Sequence, residues 1–225
     1  MAKFHISSDG NPRVCTATEG NCPIGGNENH YTSKEAARAA FEASVKSIRT
    51  VTLRGDVEWR NSKGQLHRDN DLPAVERSNG SKLWFQNGLG HRDGDRPAMT
   101  RADGSKYWYQ HGQLHRDGDL PAIEAANGAK EWRQDGKIHR DGDLPAVEFA
   151  DGSKAWYRND KPHRDGDLPA FEDSSGAKQW YKNGKLHRTG GLPASISADG
   201  TQWFVKNGKV QYRLLPDGTR VNSLY

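Results

Sequence analysis

Apolar residues are sparse along most of this chain and fall at fixed places. From about Val51 onward they come in pairs, such as Ile123 with Trp132 or Val147 with Trp156, each pair bracketing a turn dipeptide. The spacing is 24 residues: the heptapeptide His-Arg-Asp-Gly-Asp-Leu-Pro begins, whole or slightly altered, at residues 67, 91, 115, 139, 163 and 187. Such a period predicts stacked supersecondary units, each too small to bury its apolar face alone and completed by its neighbour. It also argues against chemistry inside the repeat, because a catalytic residue is needed once and a structural residue in every unit.

Each unit carries two turn signals. The first runs Asn79-Gly80, Asp103-Gly104, Asn127-Gly128, Asp151-Gly152, Ser175-Gly176, Asp199-Gly200. The second runs Asn87-Gly88, His111-Gly112, Asp135-Gly136, Asn159-Asp160, Asn183-Gly184, Asn207-Gly208. Asn-Gly and Asp-Gly favour two-residue hairpin turns, and Asp160 is a residue type that tolerates the left-handed backbone. The expected unit is a hairpin with a longer return connection. A two-residue first turn sets Val75 against Trp84, Met99 against Trp108, Ile123 against Trp132, Val147 against Trp156, Phe171 against Trp180 and Ser195 against Phe204. Trp84, Trp108, Trp132, Trp156 and Trp180 then form an aromatic spine on the inner face, each touching the Trp of the adjoining units. The opposite face would carry Ala74, Ala122, Ala146 and Ala170 with Glu76, Glu124, Glu148 and Glu172, and would meet water or a partner.

Pro73, Pro97, Pro121, Pro145, Pro169 and Pro193 precede the first strand of each unit, where a missing amide hydrogen disturbs no ladder bond. With one unit beside the next, Arg68, Arg92, Arg116, Arg140, Arg164 and Arg188 would alternate with Asp69, Asp93, Asp117, Asp141 and Asp165 in a charge ladder interrupted at Thr189. The residues His67, His91, His115, His139, His163 and His187 belong to the same structural or interaction row. Exposed pairs of this kind contribute about 0.2 to 1 kcal/mol each, so one Arg-to-Ala change would be mild.

Residues 1–50 differ in kind. Thr32-Ser33-Lys34-Glu35 reads as a capping box, and Ala37, Phe41, Val45 and Ile48 follow at helical spacing, which predicts a helix of about 15 residues from near Ser33. The segment before it holds His5, Cys15, Cys22 and His30, a set that can make a tetrahedral zinc site; a small Cys-lined core or a disulfide are the other readings. The division is therefore a Cys/His segment with one helix at 1–50 and an all-β repeat array at 51–225.

Composition narrows this further. Leu, Ile, Val and Phe number 35 of 225 residues, a fraction that suggests disorder, yet 33 basic residues nearly cancel 29 acidic ones and disorder wants net charge. Seven Trp and seven Tyr replace the missing aliphatics, which suits one rolled sheet with a thin core of rings. A net charge of +4, spread evenly, makes no basic stripe for nucleic acid. No stretch approaches the roughly 18 apolar residues of a membrane span and Met1 to Gly10 has no apolar signal core, so the expected setting is cytoplasmic, in a host cell or associated with a virion if the protein is phage-encoded. Paired carboxylates such as Asp141 and Asp143 offer calcium ligands, but Arg140 lies beside them. His-Arg-Asp imitates a kinase catalytic loop without the Gly-rich loop or Asp-Phe-Gly that kinase chemistry requires.

The order aromatic, Asn-Gly-Lys, His, then Asp-Gly before the next aromatic resembles MORN repeats, in particular a variant with recurring His-Arg-x-Asp-Gly-Pro-Ala found in bacterial and viral proteins. The likeness covers about residues 51 to 213, and departs from the common form in its Arg after the His and its Leu-Pro-Ala. It implies an elongated sheet of stacked hairpins and a role in scaffolding or positioning other proteins. The segment around Cys15 and Cys22-Pro23 is similar to a short N-terminal module of actinobacterial and phage proteins. The function expected is that of a non-enzymatic binding or scaffold protein whose partner is another protein. The alternative is a phage or bacterial effector that sequesters a small phosphate-bearing ligand on its Arg and His rows.

Overall fold

The computed structural model describes residues 33–36 and 47–223 in full and, as backbone alone, Phe4–Ile6 and Pro12–Val14. The protein is nearly all β. Sixteen antiparallel strands, from Ile48–Val51 to Arg220–Asn222, form one sheet in which neighbours in sequence are neighbours in space. At about 4.8 Å between strands this ladder runs about 70 Å along its curve. Five two-stranded hairpins flank it, one for each of the units beginning at Val75, Met99, Ile123, Val147 and Phe171. With the first hairpin at Ile48–Val51 and Val57–Arg60, and the last unit from Ser195, the array has seven units.

The unit from Ile123 shows how the sequence builds each one. Strand Ile123–Glu124 reverses into Lys130–Glu131, the chain breaks step at Trp132, and Arg133–Gln134 then turns through Asp135-Gly136 into Lys137–Ile138. The second turn has two residues, with positive φ at Asp135 and Gly136, and Asp160 takes φ 63° in its own unit, the left-handed conformation expected of it. The first turn is different. Ala125 N donates to Ala129 O and Gly128 N donates to Ala125 O, both at 2.9 Å, with Gly128 at φ 90°. This is a three-residue loop ending on a left-handed glycine.

One extra loop residue moves the register by one. The observed partners are Val75↔Leu83, Met99↔Tyr107, Ile123↔Glu131, Val147↔Ala155, Phe171↔Gln179 and Ser195↔Trp203, in place of the Trp and Phe204 pairings expected from a two-residue turn. A slip of one exchanges the faces of a strand. Continued by one residue, the observed register sets Trp132 between Ala122 and Ala146, and Trp132 N donates to Ala146 O at 2.8 Å.

The Ala row is therefore not a surface row. Ala74, Ala122, Ala146 and Ala194 are 0% exposed, with Ala98 and Ala170 at 2% and 1%. Large ring and methyl alternate across the sheet, which puts successive indoles two strands, about 10 Å, apart. Trp84, Trp108, Trp132, Trp156 and Trp180 are buried, as the pattern required, but an Ala rather than another Trp lies beside each. On the same face Glu124 stands directly opposite Lys130, and Lys130 opposite Glu148, a favourable cross-strand order of charges. The loop geometry gives a test: Gly128→Ala forces a Cβ into left-handed backbone and should lower stability by about 1 to 2 kcal/mol in a denaturant titration.

Ser33 Oγ accepts the Ala36 amide hydrogen at 3.0 Å and Lys34 to Ala36 are helical, so the helix starts near Ser33 as expected, with Ser33 as its N-cap in place of the Thr32 that a Thr32–Glu35 capping box would use. Its continuation through Ala37, Phe41 and Val45 lies outside the described residues. Ile48, expected on that helix, instead opens the first strand of the sheet, so the array begins there rather than at Val51.

Candidate interaction surface

The return connection His139-Arg140-Asp141-Gly142-Asp143 and its equivalents carry the repeated polar chemistry. Arg140 lies flat on the Trp132 ring, 3.8 Å from guanidinium carbon to centroid. Its Nε and Nη2 donate to the two carboxylate oxygens of Asp119 at 2.7 and 3.0 Å, and its Nη1 donates to Pro145 O at 3.1 Å. Trp132 Nε1 in turn donates to Asp119 O at 3.0 Å. One Asp thus holds both halves of the Arg–Trp stack of the next unit, its side chain taking the guanidinium and its carbonyl the indole.

The same clamp joins Asp71 to Arg92 and Trp84, Asp95 to Arg116 and Trp108, and Asp167 to Arg188 and Trp180. Asp143 binds Arg164 with both oxygens, yet Trp156 Nε1 is buried with no hydrogen-bond partner among the described residues. Asp143 is also the member of this row without a positive φ, so its carbonyl is turned elsewhere. Arg68, the first of the row, stacks on Trp59 and reaches Pro73 O and Glu76.

The Arg partners therefore differ from those expected. From Arg92 to Arg188, each Arg of the row takes the second carboxylate of the acidic loop one unit back, whether that Asp has a positive φ or, as at Asp143, does not. The first carboxylate stays at home. His139 Nε2 faces Asp141 Oδ1 at 3.1 Å, while Asn159 N donates to His139 Nδ1 at 3.3 Å. An amide donor at Nδ1 assigns the neutral tautomer with hydrogen on Nε2. His67, His91, His115 and His163 repeat both contacts. His187 keeps the amide of Asn207, and Thr189 stands where its carboxylate would be, so the break at Thr189 falls in the His row while Arg188 keeps Asp167.

Electrostatics follow this wiring. The hydrogen bonds of the following Arg hold the carboxyls of Asp71, Asp95, Asp119, Asp143 and Asp167 below the usual carboxylate range. In the other row Asp117 is lowered chiefly by His115, Asp141 by Gln134 and Asp165 by Arg158. The Arg side chains from Arg92 to Arg188 are only 12 to 15% exposed. A guanidinium so covered, and already chelating a carboxylate, presents little to an outside anion.

No family model and no curated protein matches the chain. Its chemistry must be read from the geometry alone. Of the zinc candidates, Cys15, Cys22 and His30 lie outside the described residues, and His5 is on the strand Phe4–Ile6, of which only the backbone is described. Among the described residues no three His, Cys, Asp or Glu side chains gather as a metal site, and no helix is long and apolar enough to cross a membrane. The paired carboxylates that suggested calcium are each engaged by His or Arg.

Sequence reasoning missed two sets of residues. The second Asp of each acidic loop, such as Asp119, is absent from the expected charge ladder, although it recurs at the same period as the Arg it binds. The Ala after each Pro was read as surface, although a methyl kept in all six copies, beside a Trp kept in five of them, is itself a sign of a packing constraint.

Proposed function

We propose that the protein is a non-enzymatic binding scaffold, a stack of MORN-like hairpins that holds and presents a regular surface to another protein. The observation that carries this reading is the wiring of the His-Arg-Asp rows. In most units the His, Arg and Asp side chains of the repeat are spent on the same kind of neighbour, and among the described residues of these rows none stands apart as a nucleophile or base with an orienting group. Stability of such an array sums unit by unit and leaves an outer surface of periodic chemistry for recognition.

The same wiring weighs against sequestration of a phosphate-bearing ligand, since each Arg would have to leave an Asp and a Trp to bind one. A thermal-shift panel of nucleotides is expected to leave the melting temperature unchanged. The decisive experiment is affinity capture with the full chain followed by reconstitution with the purified partner, measuring how affinity changes as units are removed. A stepwise weakening with unit number supports the scaffold. An activity lost on a single change such as Arg116→Ala or His115→Ala, in a protein that stays folded, would sink it.

A further inference from the structure

Even along the sequence, the positive charge is uneven in space. The second turns of the last three units are flanked by Arg158 with Lys161, Lys182 with Lys185, and Lys206 with Lys209, all exposed. In each hairpin the two cations stand directly opposite each other. The corresponding pairs of earlier units are Gln86 with Leu89, Gln110 with Gln113 and Gln134 with Lys137. The three basic hairpins are joined to one another: Gly184 N donates to Pro162 O at 3.0 Å and Gly208 N to Leu186 O at 2.9 Å. The six cations therefore share one strip, about 20 Å long at two strand spacings per unit.

The counter-charge is withdrawn as the cations arrive. In earlier units the first side chain of the pair donates to the first Asp of the acidic loop, Gln86 to Asp93, Gln110 to Asp117 and Gln134 to Asp141. Arg158 still meets Asp165 in this way, but for Lys182 and Lys206 the same position holds Thr189 and Arg213. The acids nearest the strip are engaged: Asp165 by Arg158 and His163, and Asp160 Oδ1 by the Ile138 amide at 2.8 Å. Among the described residues no ion pair includes Lys161, Lys182, Lys185, Lys206 or Lys209. Like charges directly opposite destabilise a strand pair, so the fold gains nothing from this order. On the sheet face the protein avoids it, setting Lys130 between Glu124 and Glu148 and Lys154 between Glu148 and Glu172. A local rule broken in three successive hairpins marks a surface kept for something other than stability.

We propose that this strip docks an extended acidic segment of the protein partner. This rests on the scaffold reading given above and names the chemistry of the partner. Charge complementarity sets the sign of the segment, and geometry sets its form. Paired cations recur about every 10 Å, the rise of three residues of extended chain, so a segment lying along the array meets a pair with every third side chain. Nucleic acid fits the strip less well. Strand alternation puts Tyr157 and Tyr181 on the opposite side of their hairpins from Arg158 and Lys182, so the basic side of these two hairpins carries no ring for stacking bases. All of the cations but Arg158 are Lys, point charges without the planar fork that grips a phosphate through two bonds.

The probe is a fluorescent peptide repeating Glu-Ser-Thr over about 12 residues, titrated with the full chain and followed by anisotropy. Saturable binding is expected at about 0.05 M salt and should vanish near about 1 M, where the Debye length is about 3 Å. Lys182→Gln, Lys185→Gln, Lys206→Gln and Lys209→Gln together should weaken it about tenfold or more, with a melting temperature no lower than that of the native chain because opposed like charges are removed. The matched control, Lys106→Gln with Lys130→Gln, Lys154→Gln and Lys178→Gln on the sheet face, removes the same charge and should weaken binding by no more than about twofold. Equal losses for the two variants, or no saturable binding, overturn the strip. A single-stranded oligonucleotide of equal charge that binds more tightly than the peptide assigns the strip to nucleic acid and overturns the acidic segment. A reconstituted partner that binds the outer-hairpin variant as tightly as the native chain rejects the strip and leaves the scaffold standing. The scaffold reading has its own failure, an activity lost with Arg116→Ala, which these variants do not touch.

Discussion

Trp132→Ala is expected to destabilise the protein by about 3 to 5 kcal/mol, read as a lower denaturant midpoint. The ring is 7% exposed, flanked in the sheet by two methyl side chains that cannot expand into the space it leaves, and roofed by Arg140. Its removal also strands the guanidinium over a void. Trp156→Ala should cost a similar amount. The two positions part at Phe: Trp132→Phe gives up a hydrogen bond to Asp119, whereas Trp156→Phe removes an N–H that has no partner, so the second should be the milder by about 1 kcal/mol or more. Equal losses for the two Phe variants would show that the unpaired indole finds water.

Replacing Arg116, Arg140 and Arg164 together by Ala should come close to unfolding the array. Each guanidinium contributes a stacking contact of about 0.5 to 2 kcal/mol and charge-assisted hydrogen bonds of about 1.5 to 3 kcal/mol before the partner is left bare. One such change should thus cost about 2 kcal/mol or more, above the mild effect expected for an exposed pair. The sites are successive clamps with separate partners, so the losses should roughly add against a total of about 5 to 15 kcal/mol. The same clamps set the acid limit. A carboxyl held below its ordinary value stabilises the fold at pH values above about 4, and that contribution is lost as the pH falls through the depressed folded value. Melting temperature should therefore drop below about pH 4, and less steeply in the triple variant, whose Asp95, Asp119 and Asp143 have lost their Arg. High salt should weaken the native clamps only in part, because the Arg side is covered.

The period, the number of units, the second turn and the burial of the five Trp were legible in the sequence. The register was not. Asn127-Gly128 is compatible with a two-residue turn and equally with a three-residue loop ending on a left-handed glycine, and local chemistry alone does not separate them. Packing does: only the longer loop sets Ala122 and Ala146 beside Trp132, where two methyls leave the ring its space. The Arg partners were obscured for a related reason. Asp117 and Asp119 both recur at the period of Arg140, and only the folded loop shows that the first turns back to His115 while the second faces Arg140. Lys182 and Lys185 were visible as letters but not as part of a strip, since they oppose each other only in the folded hairpin and join Lys206 and Lys209 only when the units stack.

The forward direction of the Asp clamp has a consequence for the size of the molecule. Each internal unit offers one carboxylate ahead and one Arg–Trp stack behind, so any internal unit can follow any other. At the far end the offer stops on both sides at once: Gly191 stands in the Asp position and Tyr212 in the Arg position, leaving no charge unmatched. Excision of residues 123–146 would bring Asp119 to the same 21-residue distance from Arg164 that it now has from Arg140. The number of units is thus a free length setting as far as the clamps are concerned: the array can gain or lose whole 24-residue steps with every Asp still facing an Arg.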